Sequence, residues 1–277
     1  MTPHDATADP TAVLARRELV VAAVVMVALT RAVEPADAFL VAGLLPVVML
    51  LAGVGVLHLG TADTRPFEAL LVPAVLTGGA GAAIHLVPIG LGLIPVLLGF
   101  AILLDRILAL ELRLLGQATG ATEADQSRVV LAAITTAFIA FTGIATLVPG
   151  GLAEPGGAAA GGQALSEGWL VVMAVNDALV ALLLGYRLAL LRYGTARDAA
   201  RSAVTSAIVV AVAAGAIRAI DLPRLVGPAL LTLVFYLWDA LHGSAPARRR
   251  EPRFMWEAIL LAVLGVIVVA WNLRLRA

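Results

Sequence analysis

Asn176 and Asp177 stand out because they interrupt a long apolar stretch, residues 168–191. At 1.5 Å per helical residue they lie about 13 Å from its start. A charged side chain so deep in a bilayer is costly unless it is paired or protonated. Two interpretations follow: a substrate, ion or proton site, or a polar clamp between packed helices. Arg106, in an earlier apolar stretch, is the candidate partner of Asp177 if its side chain reaches inward.

A second, weaker group of polar residues falls near the ends of other apolar stretches, on the predicted cytoplasmic side. Its members are Asp105, Asp239, His58 and His242. Acids and histidines gathered at one depth can form a catalytic site, and paired histidines can bind haem. Interfacial anchoring or helix-end pairing explains each of them more simply. We therefore expect no metal and no other cofactor.

Several kinds of chemistry are excluded by composition. The 19 basic residues are all Arg, so no lysine can form a Schiff base, and there is no Cys for disulfides or thiolate ligands. The sequence contains no H-E-x-x-H, G-x-S-x-G or Walker motif. The 19 acids balance the 19 bases, which gives no indication of nucleic-acid binding.

The elements that must position these residues are membrane helices. The chain has 277 residues, 61% of them hydrophobic and only 14% charged. A hydrocarbon core of about 30 Å needs roughly 20 apolar residues per helix. Such runs predict an all-α, polytopic transmembrane bundle of about nine helices in a single domain, 16–277, after a polar, mobile tail, 1–15. The runs are 17–34, 38–59, 66–86, 89–113, 126–148, 168–191, 197–219, 224–242 and 254–273.

Arginine placement predicts the orientation of the bundle. With the N-terminus in the cytoplasm, 13 arginines fall on the inner side of the predicted spans and five on the outer side. All four tryptophans, which prefer the headgroup level, then lie near predicted helix ends. The sequence thus favours a multi-pass protein of the cell (inner) membrane, with a cytoplasmic N-terminus and an external C-terminus.

Small residues at four-residue spacing predict where helices approach closely. In the sixth run the set is Asp177, Ala181, Gly185 and Ala189; in the third it is Ala74, Gly78 and Ala82; in the seventh it is Ala203, Ala207, Ala211, Gly215 and Ala219. We expect the sixth and seventh helices to pack through their stripes. A Gly215→Leu substitution should then disrupt the packing.

No motif assigns an activity, and three classes of function remain open. A non-enzymatic accessory, scaffold or lipid-interacting role accounts best for polar groups that lie mostly at interfaces. A small-solute or proton-coupled transporter is the alternative; it rests on Asn176 and Asp177, and on Gly90, Gly92 and Pro95, which could break the fourth helix. A membrane-embedded enzyme is the least favoured class. The expected partners are the lipid bilayer and other membrane protein chains, and not nucleic acid.

Overall fold

The computed structural model describes residues 10–57, 66–115, 122–148, 151–152, 166–193, 195–218, 220, 222, 225–243 and 251–274. Nine α-helices lie in these residues, with no strand among them. They are α1 (Pro10–Thr30), α2 (Pro35–Val56), α3 (Pro66–Ala83, followed by a 3₁₀ turn at Ile84–Leu86), α4 (Leu93–Leu115), α5 (Glu123–Leu147), α6 (Glu167–Tyr193), α7 (Ala196–Arg218), α8 (Val226–Gly243) and α9 (Pro252–Arg274). The predicted all-helical class is confirmed for this part of the chain.

The helix boundaries follow local sequence signals. Proline is the first residue of α1, α2, α3 and α9, where its missing N–H costs no hydrogen bond. Thr122 caps α5 and accepts a hydrogen bond from the Asp125 N–H at 3.2 Å, and Thr195 caps α7 in the same way at 3.3 Å. The polar tail proposed for 1–15 is helical from Pro10 onward, and residues 1–9 lie outside the described part of the chain.

Eight of the described helices, α2 to α9, are long and apolar enough to cross a membrane. The remaining helix, α1, carries Arg16, Arg17 and Glu18 in its first half. Each of the nine predicted apolar runs overlaps one of these helices, so a multi-pass membrane architecture fits the structure. The multi-pass prediction is thereby supported.

Consecutive helices run in opposite directions. The end of α1 meets the end of α3, where the Thr30 hydroxyl donates to the Gly81 carbonyl at 2.9 Å. The ends of α6 and α8 meet in the same way, through Arg192 and Asp239. We call the surface at which α1, α3, α5, α7 and α9 begin face A, and the opposite surface face B.

The centre of the bundle is α3. Within its apolar span 78% of the residues are buried, against 6% in α9, which is a peripheral helix. Glycines allow the close approach: a Cβ on Gly79 would lie 2.7 Å from the Ala140 Cα of α5, and one on Gly78 would lie 2.6 Å from the Pro46 side chain of α2. The small-residue stripe predicted for α3 is therefore confirmed as a packing surface.

The α6–α7 pair is the most extensive helix contact, as expected from the sequence. Every member of the α6 stripe is buried, and Gly185 lies against Ser206 and Ala203 of α7. The α7 stripe was predicted with the wrong phase, because steps of four residues drift by about 40° per step around a helix of 3.6 residues per turn. The buried residues of α7 follow a mixture of three- and four-residue steps instead: Ala199, Ala203, Ser206, Val210 and Ala214. A Cβ on Gly215 meets nothing within 4 Å.

Candidate functional site

Asp177 lies about ten residues into α6 from face B, and its side chain is 0% exposed. Its Oδ2 accepts a hydrogen bond at 2.9 Å from Nη2 of Arg218, the last residue of α7, whose side chain is 7% exposed. The close packing of α6 on α7 at Ala181 and Gly185 brings the two helices near enough for this contact. The polar residue deepest in the sixth helix is thus held in a buried interhelical ion pair.

Arg218 reaches Asp177 because side chains on a helix lean toward its N-terminus. Gly185 lies level with the Ala203 to Ser206 turn, which places Arg218 about five residues beyond the level of Asp177. On antiparallel helices the Arg218 side chain leans into the bundle while that of Asp177 leans toward face B, so the two converge. The predicted partner Arg106 is wrong: it is exposed on α4, and Asp177 pairs with Arg218.

The pair is incompletely satisfied. Arg218 Nη1 also donates to the Gly151 carbonyl at 3.5 Å, just beyond the end of α5. Within the described part of the chain, however, Asp177 Oδ1 and Arg218 Nε are buried without a hydrogen-bond partner. A buried polar atom without a partner loses its hydration at a cost of roughly 1–3 kcal/mol. The pair can therefore accept one more hydrogen bond and donate one more.

Asn176 does not join this pair. Its Nδ2 donates to the Val172 carbonyl one turn earlier in α6, at 2.7 Å. The neighbouring residue along a helix points about 100° away, so Asn176 faces a different side from Asp177. The two residues that adjoin in sequence are therefore not brought together as one polar site.

The four polar residues predicted near the cytoplasmic side do not form one group either. Asp105 on α4 binds Arg16 of α1 at 2.8 Å, whereas Asp239 on α8 binds Arg192 of α6 at 2.7 Å. His242 stacks on Trp238, with ring centres 3.7 Å apart. His58 lies outside the described residues. Within the described residues, no three His, Asp or Glu side chains are placed to hold a metal ion together.

Sequence reasoning missed the second buried ion pair, between Glu111 of α4 and Arg187 of α6. The Arg187 Nε lies 3.2 and 3.1 Å from the two Glu111 carboxylate oxygens, and its Nη2 donates to Oε2. The Glu111 side chain is 2% exposed and the Arg187 side chain is 7% exposed. A signal was present: Phe100, Leu104, Ile107, Leu108 and Glu111 fall on one helical face, so Glu111 continues the buried stripe of α4.

Polar contacts converge on α6. Besides the partners of Asp177, Arg187 and Arg192, the Tyr186 hydroxyl donates to Glu68 of α3 at 3.2 Å. Helix α6 is thereby joined by charged or polar contacts to α3, α4, α7 and α8. Such an arrangement fixes helix positions, and the pair near face B retains free hydrogen-bonding capacity. Comparison with family models, with curated proteins and with solved structures finds no match to this chain.

Proposed function

We propose that the chain spans the cell (inner) membrane nine times, with face A in the cytoplasm, the N-terminus inside and the C-terminus outside. Support comes from the described arginines, which gather on the cytoplasmic side of membrane proteins. Ten lie in the face-A halves of their helices and three near face B. The first set is Arg16, Arg17, Arg106, Arg113, Arg128, Arg187, Arg192, Arg197, Arg201 and Arg253; the second is Arg31, Arg218 and Arg274.

Reporter fusions test this topology. Alkaline phosphatase fused after Ala277 should be active, because it folds only outside the cytoplasm, while a fluorescent protein fused there should stay dark. The same two reporters fused after Gly243, at the face-A end of α8, should give the reverse pattern. A fluorescent C-terminal fusion would mean that the chain crosses the membrane an even number of times, or that it is inverted.

Within that membrane, we infer a non-enzymatic role, as an accessory or scaffold subunit or a lipid-interacting protein. One observation carries this inference: among the residues that the structure describes, the most deeply buried acids, Asp177 and Glu111, are each used in an interhelical ion pair. An enzyme needs such groups grouped and accessible to substrate. The remaining acids of the cytoplasmic-side group, Asp105 and Asp239, are paired with arginines of different helices.

The second candidate is a small-solute or proton-coupled transporter with Asp177 as its intramembrane group. The unpartnered Oδ1 of Asp177 and Nε of Arg218 favour it, because a passing proton, water or solute could occupy those positions. The continuity of helix α4 argues against the transporter. This helix begins at Leu93, after Gly90 and Gly92, and continues without a break to Leu115, so the discontinuous helix considered from the sequence is not formed.

Proton flux separates the two candidates. The full chain is reconstituted into liposomes loaded with a pH-sensitive dye, and a pH gradient is imposed. For an accessory protein we expect acidification no faster than in protein-free liposomes, and no change with Asp177→Asn. The matched control is Asp198→Asn, which alters an exposed acid at the start of α7. A flux that Asp177→Asn abolishes and Asp198→Asn preserves would establish the transporter and overturn the accessory role.

A further inference from the structure

The Arg16–Asp105 ion pair fixes how α1 and α4 face each other on the face-A side. Arg16 Nε donates to Asp105 Oδ1 at 2.8 Å, and the two side chains are 22% and 33% exposed. The pair therefore lies at the edge of the bundle rather than in its core. Because α1 and α4 are antiparallel, the residues that follow the two partners have a predictable placement.

Arg17 and Arg106 are those residues. Arg17 follows Arg16 and Arg106 follows Asp105, so each arginine points about 100° away from the paired residue before it. Because α1 and α4 are antiparallel, both rotations bring the side chains to the same side of the α1–α4 contact. Both side chains are exposed, and neither forms an ion pair with any residue that the structure describes. Glu18, turned by a further 100°, falls on the side of α1 away from α4. Two unpaired guanidinium groups thus flank one groove.

The groove continues toward face B as an apolar surface. Val21 and Val25 follow Arg17 along α1 and are 63% and 51% exposed. Ile102 and Leu98 precede Arg106 along α4 at the same four-residue steps and are 54% and 59% exposed. Steps of four residues drift by about 40°, so Val21 and Ile102, one turn from the arginines, face the groove, whereas Val25 has turned away from α4. Each arginine therefore adjoins an exposed hydrocarbon ridge, and the α1 ridge lines the groove only over its first turn.

We propose that an anionic phospholipid occupies this groove, with its phosphate held by Arg17 and Arg106 and its acyl chains on the two ridges. Three guanidinium groups stand against the single carboxylate of Asp105, which leaves a net charge of about +2 for a phosphate to neutralise. Arginine matches phosphate oxygens with two parallel donors. The apolar ridges select a lipid over free phosphate, which has no acyl chains to lay on them.

The spacing of the arginines along α1 supports the same occupant. Arg17, two turns into the helix, and Arg31, just past its end, are 14 residues apart, or about 21 Å, which is shorter than a hydrocarbon core of about 30 Å. The Arg17 side chain must therefore extend toward the headgroups at face A, and a phosphate bound at the level of its guanidinium group supplies the counter-charge. The proposal rests on the membrane embedding proposed above, which the reporter fusions test separately.

Native mass spectrometry of the full chain in detergent tests the proposal. With increasing phosphatidylglycerol, we expect one lipid to bind more tightly than the rest, and phosphatidylcholine to lack this tight site. Arg17→Gln with Arg106→Gln should weaken the tight site roughly 30-fold, and each single variant about fivefold. The matched control removes two exposed face-A arginines of another helix, Arg197→Gln with Arg201→Gln on α7, and should keep the tight site.

Three results would overturn the proposal. One is equal loss of the tight site in the control and in the Arg17 and Arg106 variants, which would mean a diffuse charge effect. Another is equal binding of phosphatidylcholine, and the third is displacement of the lipid by excess inorganic phosphate, which would assign the groove to a soluble anion. Phosphatidylglycerol should also raise the thermal unfolding temperature of the unsubstituted protein and of the control, but not of the double variant. A shift that persists in the double variant would place the lipid elsewhere.

Discussion

Replacement of Glu111 by alanine is expected to lower the free energy of unfolding by about 3–5 kcal/mol, because Arg187 is left buried without its counter-charge. The Arg187 side chain is 7% exposed in the folded bundle, so water cannot replace the lost carboxylate without local opening of the helices around it. Unfolding of the purified protein in mixed micelles with increasing sodium dodecyl sulfate, followed by circular dichroism, measures this loss. The effect should be visible as an earlier transition.

Two further variants show that the loss comes from the pair itself. Replacing both partners, Glu111→Met with Arg187→Met, should restore most of the stability, since apolar side chains of similar volume can substitute for a buried ion pair. Arg253→Gln is the control, because its ion pair with Glu257 is 90% and 62% exposed and should contribute little. An alanine variant as stable as Arg253→Gln would contradict the buried pair.

Substitution of Gly143 by leucine is expected to destabilise the protein by about 3 kcal/mol or more, through overpacking between α3 and α5. A Cβ at Gly143 would lie 2.5 Å from the Gly79 carbonyl oxygen and 2.8 Å from the Ala82 Cβ. The first of these atoms is backbone in the central helix, so it cannot move aside without displacing α3. The thermal unfolding temperature in detergent and the yield of monodisperse protein both report the effect.

Gly215→Leu provides the matched control for Gly143→Leu. Both glycines lie within helices and receive the same side chain, but a Cβ at Gly215 has open space around it. The unfolding temperature should stay within error of that of the unsubstituted protein, contrary to what the four-residue stripe in the sequence suggested. A large loss at Gly215 would show that this face of α7 is packed against another chain or another part of this one.

Helix formation and depth could be predicted from the sequence because both depend on local composition. Runs of apolar residues placed nine helices, and counting residues placed Asp177 deep in α6. The sequence places Arg218 at the end of α7 but does not indicate how far its side chain reaches into the bundle. The pairing needs two facts that local sequence does not carry: the neighbour of α6 on that side, and the relative height of the two helices.

The same limit explains why the burial of Glu111 was missed and why the α7 stripe was predicted with the wrong phase. Glu111 lies in a helix with three other charged residues, Asp105, Arg106 and Arg113, and only the phase of the apolar residues sets it apart as buried. In α7 more than half of the residues are Ala, Gly, Ser or Thr, so composition offered several stripes and could not choose the one that faces α6. Where every face of a helix is apolar or small, the packing partner decides which face is buried.

The polar contacts of α6 also constrain the order in which the chain can assemble during synthesis. Arg187 and Tyr186 contact α4 and α3, which have been synthesised before α6. The partners of Asp177 and Arg192 lie on α7 and α8, which are synthesised after it. Releasing α6 into lipid with Asp177 uncompensated costs about 2.5–3.5 kcal/mol by insertion scales, whereas Arg192, in the last turn of α6, can reach the headgroups. Helix α6 is therefore expected to remain sheltered at the insertion machinery until α7 has been translated, so that α6 and α7 enter the bilayer as one unit.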